Sequence, residues 1–427
     1  MQESFSVVRS VTKSLVVFAI LLSALPICGG EWNRFRGPNA TGVSSGRQLP
    51  VEFERADALW TAKLAGHGNS SPILHEQLIY ITSAELELES MTGKRSLVAL
   101  DLESGEIKWQ RDWSFDHYKT NRRNGYASSS VCTDADGVYV FWQSEVTSML
   151  YGMNHQGEPL WEYEVGKFGA GTGAATSPIV HDGVVLLSHD NEKFESFLLA
   201  IATADGNPVW KTMRETQRTG YSTPVIYPSK AGRTQVVFSH SYEGMVGVDF
   251  TTGEVQWQNV VFGEHTQRAV GSPIVVGDQV IAASGFTNGV RTLVSLKPDQ
   301  LNDRREAQEH FRTTRNVPHC PTPLALGGNL YCWTDRGVLA CLNLSDGRQR
   351  WLARVGGEYF ASPIALGNRI LCIDRSGEIV VIAAGDTYRE LGRSQLDAGV
   401  MATPALSQNA LIIRTANEIL RFDLVDQ

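Results

Sequence analysis

The sequence predicts an all-β chain, folded as an eight-bladed β-propeller of four-stranded antiparallel blades. Three observations carry that expectation. The first is the eleven-residue frame Ala99-Leu-Asp101-Leu-Glu-Ser-Gly105-Glu-Ile-Lys-Trp109, which recurs at 200–210, 247–257 and 341–351, with a copy one residue shorter from Gly152 to Trp161. Recurrence at a period of about 40–50 residues marks a repeat architecture. The second is a Ser or Thr followed by Pro and apolar residues, beginning at Ser71, Ser177, Thr223, Ser272, Thr322, Ser362 and Thr403. Ser129-Ser130-Val131 holds that place in the unit lacking Pro. Proline is tolerated at the first residue of a strand because no ladder donor is lost there. The third is the content of each unit: four short apolar runs separated by turn residues, with no stretch of helical period, which excludes alternating βαβ units.

In chain order, Arg9 and Lys13 precede an apolar run over 14–28 that is short for a membrane span and fits a secretory signal. Residues 1–30 are therefore read as a signal peptide and the protein as periplasmic or secreted. A lipid anchor on Cys28 is the alternative, disfavoured by the bulk of Ile27. Residues 31–57 are turn-rich without strand or helix period, and read as an extended arm lying on the body. Residues 58–427 form one propeller domain. Its last unit, 403–422, supplies only three strands, and the strand at about 58–64 is the missing fourth. Their pairing is expected to close the ring and remove two sheet edges.

Trp60, Trp109, Trp161, Trp210, Trp257 and Trp351 are expected to act as structural latches, each wedging a ring between neighbouring blades. Burial of each contributes roughly 1.5–3 kcal/mol and truncation to Ala costs about 3–5 kcal/mol. The glycine of each frame is expected to take positive φ. Two units lack the tryptophan: the fifth, running through 295–310, and the seventh, where Tyr388 is expected to replace it.

The chain of 427 residues is 42% apolar and 20% charged, with a net charge of −8. That balance argues against nucleic acid as a partner. Beyond the signal, the five cysteines are an odd number and do not form a disulfide framework. Cys332 and Cys341 flank one tight turn, so they either approach across a hairpin or lie as single buried thiols. Asp134-Ala-Asp136-Gly137 sits at a hairpin position and reads as turn chemistry. No metal site is predicted, and His319-Cys320 has no second ligand motif at a suitable spacing.

The repeated Ala-x-Asp-x-x-x-Gly-x-x-x-Trp units with their Ser/Thr-Pro strand starts resemble the pyrroloquinoline-quinone-like (PQQ-like) repeat. That repeat builds the propellers of quinoprotein alcohol dehydrogenases and of the barrel-assembly propeller lipoprotein. The likeness spans residues 58–424. The opening Trp32-Asn-Arg-Phe-Arg36-Gly37-Pro38-Asn39 looks like the start of secreted planctomycete-type propellers. The dehydrogenase branch implies a quinone, a bound calcium ion, a catalytic Asp and a vicinal disulfide; this chain has no adjacent cysteine pair.

In a propeller, the loops joining one blade's outer strand to the next blade's inner strand gather at one mouth of the channel. The residues ahead of each Ser/Thr-Pro include Arg122, Arg123, Tyr126, Arg218, Tyr221, Arg268, His319 and Tyr359, a candidate mouth for an anionic or sugar-like ligand. The long segment 112–124 feeds this mouth and is read as a functional loop. The leading expectation is a monomeric, non-catalytic binding or assembly scaffold for a protein or anionic glycan partner, with no cofactor. The alternatives are a PQQ-dependent oxidoreductase and a polysaccharide-active enzyme.

Overall fold

The computed structural model describes residues 32–262, 268–285 and 290–426; the segment read as a signal lies outside them, as do His265 and Gln267. Among the described residues the strands form eight sheets, seven of four strands and one of five. Each blade is an up-and-down antiparallel sheet, as in blade 1, where Ile73–His75, Leu78–Glu87, Thr92–Asp101 and Ile107–Asp116 pair in order. The helical content is two single turns, Pro38–Ala40 and Arg55–Asp57, and no described helix is long and apolar enough to cross a membrane. Blade 8 is built from Ala405–Leu406, Ala410–Arg414 and Glu418–Asp423, and the strand Trp60–Lys63 completes it, pairing antiparallel from Trp60 with Arg421 to Lys63 with Glu418. The ring closes as the strand count requires.

The recurring frame owes its residues to one contact. Its Asp or Asn accepts backbone N–H bonds within the turn, as Asp101 Oδ1 does from Glu103 (3.1 Å) and Ser104 (2.8 Å). The glycine then takes the left-handed conformation, with φ of 71° at Gly105 and 73° at Gly206. A register shift just before the tryptophan bulges the outer strand, for example between Ala99 paired with Trp109 and Leu100 paired with Ile107. Such a bulge re-aims a side chain. The ring swings over the glycine turn of the next blade and its indole N–H donates to a carbonyl there: Trp60 to Leu102, Trp109 to His155, Trp161 to Thr203 and Trp210 to Phe250; Trp351 makes the same bond to Gly385 O, but its ring does not cover that glycine. A Cβ on Gly105 would lie 2.5 Å from the ring of Trp60. The turn therefore needs glycine twice, for its φ and for the ring above it.

Three latches differ from the expectation. Trp257 is fully buried but lies on Gly247 of its own blade and donates to Gln235 Oε1 (2.7 Å), because blade 5 has no glycine turn to receive it. Blade 5 does carry a latch, Phe311, whose ring covers Gly347 of blade 6. Tyr388 is not the latch of blade 7. The register puts Gly392 there, opposite Val381, and the space above it is filled by Val51 and Glu52 of the N-terminal arm. Tyr388 packs edge-on to Trp351 instead, at 5.5 Å.

Nearer the axis, the Ser/Thr of six of the eight strand starts bonds its neighbour. The N–H of Ser71 donates to Ser130 Oγ, Ser130 to Ser177, Thr223 to Ser272, Ser272 to Thr322, Thr322 to Ser362 and Ser362 to Thr403, all at 2.9–3.0 Å. This belt explains why the unit without proline still keeps Ser130.

The arm does more than lie on the body. Trp32 O accepts the Leu74 N–H of blade 1, Asn33 O that of Thr133 in blade 2, and Gly42 O that of Ala365 in blade 7. The Asn39 side chain both accepts from Ile226 N (2.9 Å) and donates to Ile226 O (2.8 Å) in blade 4, imitating a strand partner. Val43–Ser44 then adds a parallel fifth strand inside blade 7. The arm thus crosses the channel in the order of the blades. Arg36, fully buried, donates to Ala40 O and Pro363 O, and burial lowers its pKa to about 9.

Cys332 and Cys341 are free thiols. Cys332 opposes Ala340 while Cys341 opposes Tyr331, so the pleat sends them to opposite faces of the sheet and into different cores. Asp134 Oδ1 accepts the N–H groups of Asp136 and Gly137, a hairpin turn as read.

Two outcomes follow for thermal and denaturant unfolding. Gly105→Ala is expected to cost at least about 1–3 kcal/mol from the left-handed φ alone, whereas Gly171→Ala, which meets nothing within 4 Å, leaves stability within about 0.5 kcal/mol. Trp32→Ala, which empties the buried head of the arm, is expected to cost about 3–5 kcal/mol.

Candidate functional site

Strand direction brings the eight outer-to-inner loops to one face. There they enclose a cavity of about 510 Å³. Each blade contributes the residue two before its belt hydroxyl: Asn69, Ser128, Ala175, Tyr221, Val270, Cys320, Phe360 and Met401. A floor position is thus readable from the strand start alone, and none of the eight carries a charge. Above them stand Arg122, Arg123, Arg268 and His319, with Asn121, Asn124 and Thr172.

Five of the eight residues expected at the mouth line this cavity: Arg122, Arg123, Tyr221, Arg268 and His319. The other three turn away. Tyr126 donates its hydroxyl to Tyr118 O (3.1 Å) and packs on Phe115 and Tyr118. Arg218 faces Glu192 at 3.8 Å. Tyr359 is fully buried against Trp333, with ring centroids 5.4 Å apart. The segment 112–124 is not all loop, because the outer strand of blade 1 continues to Asp116.

The rim arginines are largely compensated. Arg123 pairs with Glu358 (3.4 Å), lies over the Phe360 ring at 5.3 Å, and shares that carboxylate with Arg375 (3.1 Å). Arg268 pairs with Glu192 and donates from Nε to Thr219 Oγ1 (3.0 Å), sharing Glu192 with Arg218. Glu192 comes from the hairpin turn of blade 3, a class of loop that reading ahead of Ser/Thr-Pro does not sample. Arg122 is exposed and has no ion-pair partner among the described residues. Tyr221 donates to Gly173 O (2.8 Å), and burial raises its phenol pKa.

One carboxylate organises the sixth loop. Asp335 accepts the backbone N–H groups of His319 (2.9 Å) and Cys320 (3.0 Å) and pairs with Arg291 (2.8 Å). Burial works to raise its pKa, but Arg291, His319 and the two N–H bonds together hold it below the ordinary value. Burial, and then this carboxylate, push the Cys320 thiol well above its usual pKa, so it stays protonated at neutral pH. Among the described residues no group of three or more His, Cys, Asp or Glu is placed to hold a metal ion.

A family model described as outer membrane protein assembly factor BamB matches residues 113–322 and 306–423. The chain belongs to this PQQ-like propeller family. A Moranella endobia (strain PCIT) protein named outer membrane protein assembly factor BamB is 25% identical over 333 residues, 77% of this chain and 70% of its own length. The crystal structure of BamB from Moraxella catarrhalis superposes with a TM-score of 0.61 at 14% identity, covering 86% of this chain and 97% of the other. A europium-containing methanol dehydrogenase superposes with a TM-score of 0.64 at 12% identity, covering 93% of this chain and 98% of the other. The two superpositions establish shared fold.

Asp335→Asn is expected to cost about 1–3 kcal/mol at neutral pH in denaturant unfolding. A carboxyl with a lowered folded pKa stabilises above its unfolded pKa, and that stability fades as pH falls through the folded value. The gap between wild type and variant is therefore expected to close in acid.

Proposed function

We propose that the protein is an exported, non-catalytic scaffold of the cell envelope that presents its mouth face to a protein partner during assembly. The observation that carries this reading is the uncharged floor: eight neutral residues, ringed by Arg123 and Arg268, whose charges are met by Glu358 and Glu192, and by the exposed Arg122. Family membership supports the reading, since its description names an assembly factor. So do the hairpin turns beside the mouth, where Leu88, Val146 and Phe194 are 73%, 60% and 44% exposed. Exposed apolar side chains rimmed by polar ones suit a protein contact.

A quinone does not fit these residues. Of the three arginines that could meet its carboxylates, Arg123 and Arg268 are already paired, the floor offers single rings from Tyr221 and Phe360, and the five described cysteines are separate free thiols.

Photo-cross-linking tests the proposal. A cross-linking residue at Arg122 or Phe194, in protein expressed in its native host, is expected to trap a protein partner, and one at Asp205 on the opposite face is expected to trap none. Adducts from Asp205 alone, or quinone-dependent oxidation of alcohols or sugars by the purified protein, would refute it.

A further inference from the structure

A second depression opens on the mouth face, between blades 1 and 2 and apart from the channel. The outer strand of blade 1 carries Trp113 against Trp142 and Tyr151 of blade 2, with ring centroids 5.9 Å and 4.9 Å apart. The groove they line has a volume of about 330 Å³, near the lower end of small-ligand pockets, about 300–1,000 Å³. Its walls also carry the hydroxyls of Thr92, Ser114 and Thr147 and, at the end of the outer strand, the exposed carboxylate of Asp116.

At its base is Arg95, only 3% exposed. The guanidinium lies over the rings of Phe115 (4.6 Å) and Trp142 (5.3 Å) and donates to the Tyr118 hydroxyl. Among the described residues no carboxylate pairs with it, in contrast to Arg123, Arg268 and Arg291. Its Nε has no hydrogen-bond partner, and neither does the buried indole N–H of Trp142. A buried cation without a counter-charge is expensive, and aromatic faces recover only part of that cost. A guanidinium without a counter-charge therefore stands at the base of an aromatic groove whose walls bear hydroxyl groups. The missing complement is an anionic acceptor on a ring that also bears hydroxyls.

We propose that this groove binds an acidic sugar unit, its ring against Trp113 and Tyr151 and its carboxylate received by Arg95. Stacking on the aromatic rings supplies contact area, and the guanidinium supplies discrimination for the acid over its neutral counterpart. The site stands independently of the scaffold reading, because its residues are not those of the channel mouth.

Calorimetric titration with a trigalacturonate and with its methyl ester, which removes the charge and adds a methyl group at each carboxyl, tests the proposal. The acid is expected to bind the wild-type protein at least tenfold more tightly than the ester. Trp113→Ala, at a half-buried position, is expected to weaken acid binding at least tenfold while the melting temperature shows the fold intact. Arg95→Lys, which keeps the charge and loses the planar fork, is expected to narrow the difference between acid and ester. If Trp113→Ala or Arg95→Lys lowers the melting temperature, the comparison of acid with ester on the wild type still decides. No binding of the acid, equal binding of acid and ester, or undiminished acid binding by a folded Trp113→Ala protein would overturn the proposal.

Discussion

Every blade of a propeller turns its innermost strand edge-on to the channel, and those edges carry backbone donors and acceptors that must be met. Much of this molecule is a response to that constraint. At the mouth end the Ser/Thr hydroxyls form a belt, six of them taking the N–H of the blade before. Deeper in the channel the arm takes over, bonding blades 1, 2, 4 and 7 with its backbone and with the Asn39 amide. To follow the curve it adopts positive φ at Arg36, Gly37, Asn39, Ala40 and Gly42. Left-handed conformations cost a non-glycine residue roughly 1–2 kcal/mol, so the arm holds this path because its bonds to the blades outweigh the strain.

The outer rim solves a different problem, how one sheet grips the next. A bulge, an aromatic ring and a glycine turn form one device, with tryptophan the ring at four of these turns and Phe311 the ring at Gly347. Where blade 5 offers none, Trp257 settles on its own blade, and where blade 7 has no ring, Val51 of the arm supplies the bulk. The arm therefore serves both the axis and the rim. With latch and belt occupied by structural contacts, the chemistry of the surface is left to the mouth loops and hairpin turns of one face.

The blade count, the strand starts and the closing strand were legible in the sequence because repetition averages out local ambiguity. Phe311 and Gly392 were not, since both sit in blades whose frame is broken and their positions follow from register, not spelling. The path of the arm was illegible for another reason: it bonds largely through backbone atoms, which leave no periodic signature. At the mouth, reading the loops ahead of Ser/Thr-Pro found Arg122, Arg123, Tyr221, Arg268 and His319. It could not find Glu192, which comes from a hairpin turn 76 residues before Arg268, nor see that Tyr359 folds inward. The pairing of Arg123 and Arg268 with carboxylates is a tertiary fact, and it moves the functional reading from an anion site in the channel toward a contact face.

That reading depends on the arm closing the channel from within, so that the mouth is a cup with a floor. Hydrogen–deuterium exchange on the intact protein tests this directly, through the amides of Leu74, Thr133, Ile226 and Ala365 on the inner strands. All four donate to the arm and are predicted to exchange as slowly as amides at the blade centres. Rapid exchange at these four positions, as for free strand edges open to water, would contradict the account.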